Sequence, residues 1–121
     1  MDNFLAIPRN RIIYKGKHFF VIQDKYPVSP GHLLIISNEL RKDYFELTQE
    51  EKQNLSWVID WAKNYLDKEY NPDAYNIGMN CGEVAGQTVM HFHCHVIPRY
   101  KDDIDNPRGG VRGVIPEKRI Y

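Results

Sequence analysis

A chain of 121 residues has the size of one domain, with room for one core and one active site. Hydrophobic residues at 42% and charged residues at 26% are ordinary for a globular protein and exclude wholesale disorder. Sixteen Lys and Arg balance sixteen Asp and Glu, which removes any general attraction to nucleic acid or an anionic membrane and leaves a small ligand, held by local geometry, as the partner to expect.

The opening MDNFLAIPRN lacks the basic start and sustained apolar run of a signal peptide, and no apolar segment reaches membrane-spanning length, so a cytoplasmic location is expected. RIIY from Arg11, a turn at Lys15 and Gly16, and HFFVIQD ending at Asp24 read as a β-hairpin. KYPVSPGH breaks the pattern with two prolines and a glycine, and HLLIIS, His32 to Ser37, resumes as a third strand. Thr48 and Glu51 have capping-box spacing, which predicts a helix from Gln49. Leu55, Val58, Ile59, Ala62 and Leu66 mark its buried face, and Asn71-Pro72 stops it. Trp57, Trp61 and Tyr65 form a second stripe, open to two readings: core or loop packing, or a subunit contact. AYNIGMN, Ala74 to Asn80, supplies a fourth strand, and Met90 to Pro98 a fifth. Five strands with one long helix make an α+β domain over residues 1–121, and the charged, glycine-rich segment 105–121 is a solvated tail. Cys81 and Cys94 form neither a CxxC pair nor a disulfide framework and read as thiols.

HFHCHVIPR, His91 to Arg99, holds three of the five histidines at alternate positions. On a strand His91, His93 and His95 share one face, with Phe92, Cys94 and Val96 on the other. Three uses are open: hydrogen-bonded strand residues without a task, a metal site, or a nucleophile flanked by hydrogen-bond donors and proton carriers. Nearly collinear side chains surround a tetrahedral ion poorly, which weighs against the metal. The approach, NCGEVAGQTVMH, carries Gly82 and Gly86 and can bring backbone amides close to an anion, which favours phosphate chemistry. His18 has no motif around it and reads as a surface residue.

HFHCHVI resembles the His-φ-His-φ-His-φ-φ signature of the histidine triad (HIT) family, where φ is hydrophobic, and VIQDKYPVSPGHLLIIS and AGQTVMHFHCHVIPR are similar to the family's flanking segments. The resemblance implies a HIT-like fold: about five mainly antiparallel strands, one long helix and a short helical turn, joined into a larger sheet in a homodimer. It implies a nucleotide hydrolase cleaving at the α-phosphate through a nucleotidyl-histidine intermediate. Dinucleoside polyphosphates are the first substrate class, as in members resembling bacterial diadenosine polyphosphate hydrolases; nucleoside phosphoramidates, or a regulatory nucleotide-binding role, are the alternatives. Carried onto this chain, His93 is the nucleophile, while His91 and His95 contact phosphate oxygens and one of them protonates the leaving group. Asn80, Gly86, Gln87 and Thr88 fall at phosphate-binding positions, Asp24 at the ribose position, and His32, in the PGH element, supports the active-site strand. His95 stands where the family's transferase branches carry glutamine, which implies hydrolysis. The N-terminal cysteines that give some members a zinc site are absent, so neither a structural zinc nor a cofactor is expected. The resemblance also sets the basic groups of the tail, Arg108, Arg112, Lys118 and Arg119, against the polyphosphate side of a ligand.

Overall fold

The computed structural model describes residues 4–121, so the first three residues of the opening segment read above lie outside it. Five strands form one sheet: β1 (Ile12–Lys15), β2 (Phe19–Gln23), β3 (Leu33–Ser37), β4 (Ala74–Gly78) and β5 (His93–Arg99). Their order is β1-β2-β3-β5-β4, and every neighbouring pair is antiparallel. The single α-helix among the described residues, α1 (Gln49–Tyr70), connects β3 to β4. Short 3-10 turns, including Phe4–Ala6 and Glu83–Ala85, punctuate the loops. No helix among the described residues is long and apolar enough to cross a membrane.

The helix starts where its cap requires. Thr48 Oγ1 accepts the Glu51 amide at 3.1 Å, and Glu51 Oε1 accepts the Thr48 amide at 2.7 Å. Asn71 closes it in the left-handed conformation, its amide reaching the carbonyls of Leu66 and Asp67. Leu55, Val58, Ala62 and Leu66 are buried as the spacing predicts, with Ile59 partly buried on the same core. Facing them from the sheet are Phe19, Val21, Leu33, Ile35, Cys94 and Val96. The alternate residues Phe20, Ile22, Leu34 and Ile36 form a smaller core on the opposite face, closed by Phe4. Each such fully buried aliphatic or aromatic side chain contributes about 1.5–3 kcal/mol. The helix covers one face of the sheet, and the other is left for the histidines.

The second aromatic stripe takes the first of its two readings in large part. Trp61 stacks on Tyr65 at 5.3 Å and lies 4.7 Å from the Tyr14 ring of β1, whereas Trp57 remains 55% exposed. Glu51 is buried at the helix start, and Arg41 Nε meets its two carboxylate oxygens at 3.0 and 3.2 Å.

Most strand ends differ from the sequence reading by one residue, Lys15 among them, which was read as turn and closes β1; two differ by more. β4 stops at Gly78, before Met79 and Asn80, and β5 begins at His93, so Met90 to Phe92 form its approach. At the start of β5 the Phe92 amide donates to the Arg41 carbonyl at 2.6 Å instead of to a neighbouring strand, while the Phe92 carbonyl still accepts the Ser37 amide of β3 at 3.4 Å. His91 is therefore not a strand residue. The tail is exposed, as expected, but folded on itself: Arg119 Nη1 donates to the carbonyls of Asn106 and Arg108, and Arg112 Nη2 to that of Lys118. Arg108 and Arg112 both lie over the Tyr121 ring.

Candidate active site

On the face opposite α1 a cavity of about 390 Å³ gathers His93 and His95 from β5, His32 from the start of β3 and Asp24 from the end of β2. Asn80, Gly86 and Thr88 line it from the loop between β4 and β5, and Phe4 and Leu34 add apolar wall. No tail residue lines it, so within one chain the tail arginines do not meet the site as placed from the sequence. A larger hollow, about 570 Å³, lies beside β4 and residues 99–110. None of the histidines lines it, and its Arg99 is held by both oxygens of Asp103 and by Asn76.

The hydrogen-bond network assigns the ring protons. His93 Nδ1 lies 2.8 Å from the His91 carbonyl, which can only accept, so Nδ1 carries a proton and, in the neutral ring, Nε2 is the nitrogen with the lone pair. Phe4 stands edgewise to this ring, with centroids 5.1 Å apart. His32 Nδ1 accepts the Val28 amide at 3.0 Å, which leaves its proton on Nε2, 2.9 Å from His95 Nδ1. Burial, then the neighbouring His93 and His32, push His95 down to about 4 against the opposing pull of Asp24. Burial likewise lowers His32, again opposed by Asp24. Both rings are neutral near neutral pH.

Asp24 Oδ1 accepts the Tyr26 amide at 2.8 Å, and Oδ2 lies 3.4 Å from His32 Nε2. Asp24, His32 and His95 thus bring ligand-type atoms within 4.8 Å of one another. The donor set suits a metal poorly: the nitrogen His32 would have to offer holds its proton and donates it to the nitrogen His95 would have to offer.

Two residues named from the sequence do not line the cavity. His91 is 3% exposed, and its Nε2–H donates to the Ser37 carbonyl at 2.8 Å; what it offers the site is its own carbonyl, which holds His93. Gln87 is 2% exposed: Oε1 accepts the Gly82 amide at 2.8 Å, and Nε2 donates to the carbonyls of Lys42 and Val89. Its side chain shapes the loop from within, and Gly86 completes the turn at φ +100°, a conformation side chains rarely adopt. Cys94 is buried on the helix side with its thiol pushed up to about 12, and is inert. His18, read as surface, is partly buried and lies 3.4 Å from Glu50, away from the site. Sequence reading missed Phe4 and the Val28 amide. Nothing local marks the first, and the second is a backbone group.

The HIT domain family matches residues 7–102. The bis(5'-adenosyl)-triphosphatase of Saccharomyces cerevisiae is 33% identical over 94 residues, covering 75% of this chain and 45% of that protein. The chain therefore spans about half the length of the curated relatives it matches. A HIT family protein from Bacillus anthracis has the same fold at TM-score 0.71 and 38% identity, over 75% of this chain and 64% of that one. A zinc-bound histidine triad family protein from Mycobacterium smegmatis superposes at TM-score 0.70 and 31% identity, over 76% of this chain and 67% of that one. With the family matched over most of its length and His93 and His95 placed in a cavity of the same fold, this chain belongs to the HIT domain family.

Proposed function

We propose that this protein hydrolyses nucleotides at the α-phosphate, with dinucleoside polyphosphates as the leading substrate class and a nucleoside monophosphate as product. The observation that carries the reading is the ring of His93: one nitrogen tied to the His91 carbonyl, the other left with its lone pair in a cavity walled by a glycine turn. In the proposed reaction Nε2 of His93 forms a bond to the α-phosphorus as the bond from phosphorus to the departing oxygen breaks. His95 Nε2–H donates a hydrogen bond to the departing phosphate oxygen, which leaves as the anion, and water then adds its oxygen to phosphorus as the nucleotidyl-imidazole bond breaks, returning the lone pair to His93 and one proton to solvent. Backbone and side-chain donors of Asn80, Gly86 and Thr88 face the phosphate charge, and Asp24 accepts the ribose hydroxyls. The yeast relative's name points to the same substrate class.

The chemistry needs no metal, and a structural zinc is not part of the reading. A cytoplasmic site of action is consistent with two free thiols, Cys81 and Cys94. The test is a turnover panel of diadenosine polyphosphates, an AMP-lysine phosphoramidate and adenosine phosphoramidate, run with and without chelator. Nucleoside monophosphate released from the polyphosphates, unaffected by chelation, is expected. Release only from the amine conjugates would move the leaving group to an amine, and release from none would overturn the hydrolase.

A further inference from the structure

The segment between β2 and β3 carries one hydrogen bond whose influence extends two rings into the site. A backbone amide can only donate, so the Val28 amide, 3.0 Å from His32 Nδ1, requires a lone pair there and places the single proton of the neutral ring on Nε2. That proton points at His95 Nδ1 over 2.9 Å, which must in turn present a lone pair. The one proton of neutral His95 is left on Nε2.

We infer that the Val28 amide is the positioning group that sets the proton of His95 on the nitrogen available to a ligand. The loop is tied to hold that amide in place. Ser29 Oγ donates to the carbonyl of Pro98, on the same strand as His95, at 2.5 Å. The Tyr100 hydroxyl donates to the Pro30 carbonyl at 2.6 Å. Gly31, at φ +92°, lets the chain press against α1, where an added Cβ would sit 3.1 Å from Leu66 and Tyr70. Asp24 fixes the other end through the Tyr26 amide. The Val28 side chain is 72% exposed and edges the cavity, but it takes no part in this hydrogen bond, which its backbone alone makes.

Were the proton of His95 on Nδ1, it would meet the Nε2–H of His32 donor to donor, and a departing oxygen would face a lone pair where it needs a hydrogen-bond donor. The link to turnover rests on the proposed role of His95 as hydrogen-bond donor to the departing oxygen; the proton positions themselves do not.

The amide can be removed alone by replacing Val28 with its α-hydroxy acid, which puts an ester where the amide was and keeps the side chain. Val28→Pro removes the same hydrogen genetically, and Val28→Ala retains it as a control. Ring nitrogen chemical shifts from 15N NMR near neutral pH report the proton positions without substrate. In wild type and Val28→Ala, His32 and His95 should both show a bare Nδ1 and a protonated Nε2. In the ester variant a fraction of both rings should carry the proton on Nδ1, and monophosphate release should fall by about tenfold or more with nucleotide affinity near wild type. A protonated Nδ1 on neutral His32 or His95 in wild type, or unchanged ring signals in a folded ester variant, would overturn the inference. Shifted protons with undiminished turnover would support the positioning and overturn instead the role of His95 as hydrogen-bond donor to the departing oxygen.

Discussion

His93 and His95 are two residues apart on one strand and are held in opposite senses. The first has its Nδ1–H tied back to a carbonyl, and the second has a bare Nδ1 held by a neighbouring ring. Removing the nucleophile while keeping the cavity should separate rate from binding: His93→Ala is expected to lower turnover by about a thousandfold or more, with mononucleotide affinity nearly retained in a calorimetric titration. The buried rings also set a pH dependence of stability. A histidine lowered by folding takes up its proton in the unfolded chain first, so stability is full above 6.5 and declines as pH falls toward the folded value, about 4 for His95. His32 and His91 are lowered in the same direction. Lowered carboxylates such as Glu51 and Asp103 lose their contribution only below the ordinary carboxylate range, so the interval between about pH 6.5 and pH 4.5 belongs to the histidines. The thermal midpoint should fall across that interval, and less steeply in His95→Gln; equal slopes would contradict the buried, neutral ring. Alternation made the shared face of His93 and His95 readable from the sequence. The inward turn of Gln87 was not, because an amide serves a phosphate or a backbone equally well and only the Lys42 carbonyl, 45 residues away, decides.

Elements were more legible than individual roles. The capping box, the helical spacing of Leu55 to Leu66 and the Asn71-Pro72 stop are local signals, and α1 lies where they put it. The ends of β4 and β5 are decided by partners distant in sequence, and no local pattern announces the Arg41 carbonyl that takes the Phe92 amide. The helix gives a direct contrast between its two stripes. Leu66 is fully buried against the sheet, and Leu66→Ala should cost about 2–5 kcal/mol. Trp57, more than half exposed, should tolerate Trp57→Ser within about 0.5 kcal/mol in the monomeric chain. Urea unfolding of both variants measures the difference, and comparable losses would contradict the assignment of faces.

For the whole molecule the open question is its edges. β1 and β4 bound the sheet, and β4 leaves Ile77 exposed beside its free margin. An uncovered strand edge invites another chain. We propose a two-fold homodimer, each subunit carrying its own triad, joined through sheet edges and helix residues. Sedimentation velocity at micromolar protein should show twice the monomer mass; a single monomeric species would overturn the assembly, and Trp57 would then be a solvated aromatic.

Arg41 and Lys42 tie three parts of the molecule together. The guanidinium of Arg41 holds Glu51 in the first turn of α1, its carbonyl holds Phe92 at the approach to β5, and the carbonyl of Lys42 holds Gln87 inside the glycine turn. A fluctuation that frays the start of the helix therefore reaches the nucleophile's strand and the phosphate turn through two adjacent residues. The amide hydrogens of Glu51, Gly82 and Phe92 should accordingly exchange with solvent as one cooperative unit, slowed or quickened together, although 41 residues separate the first from the last.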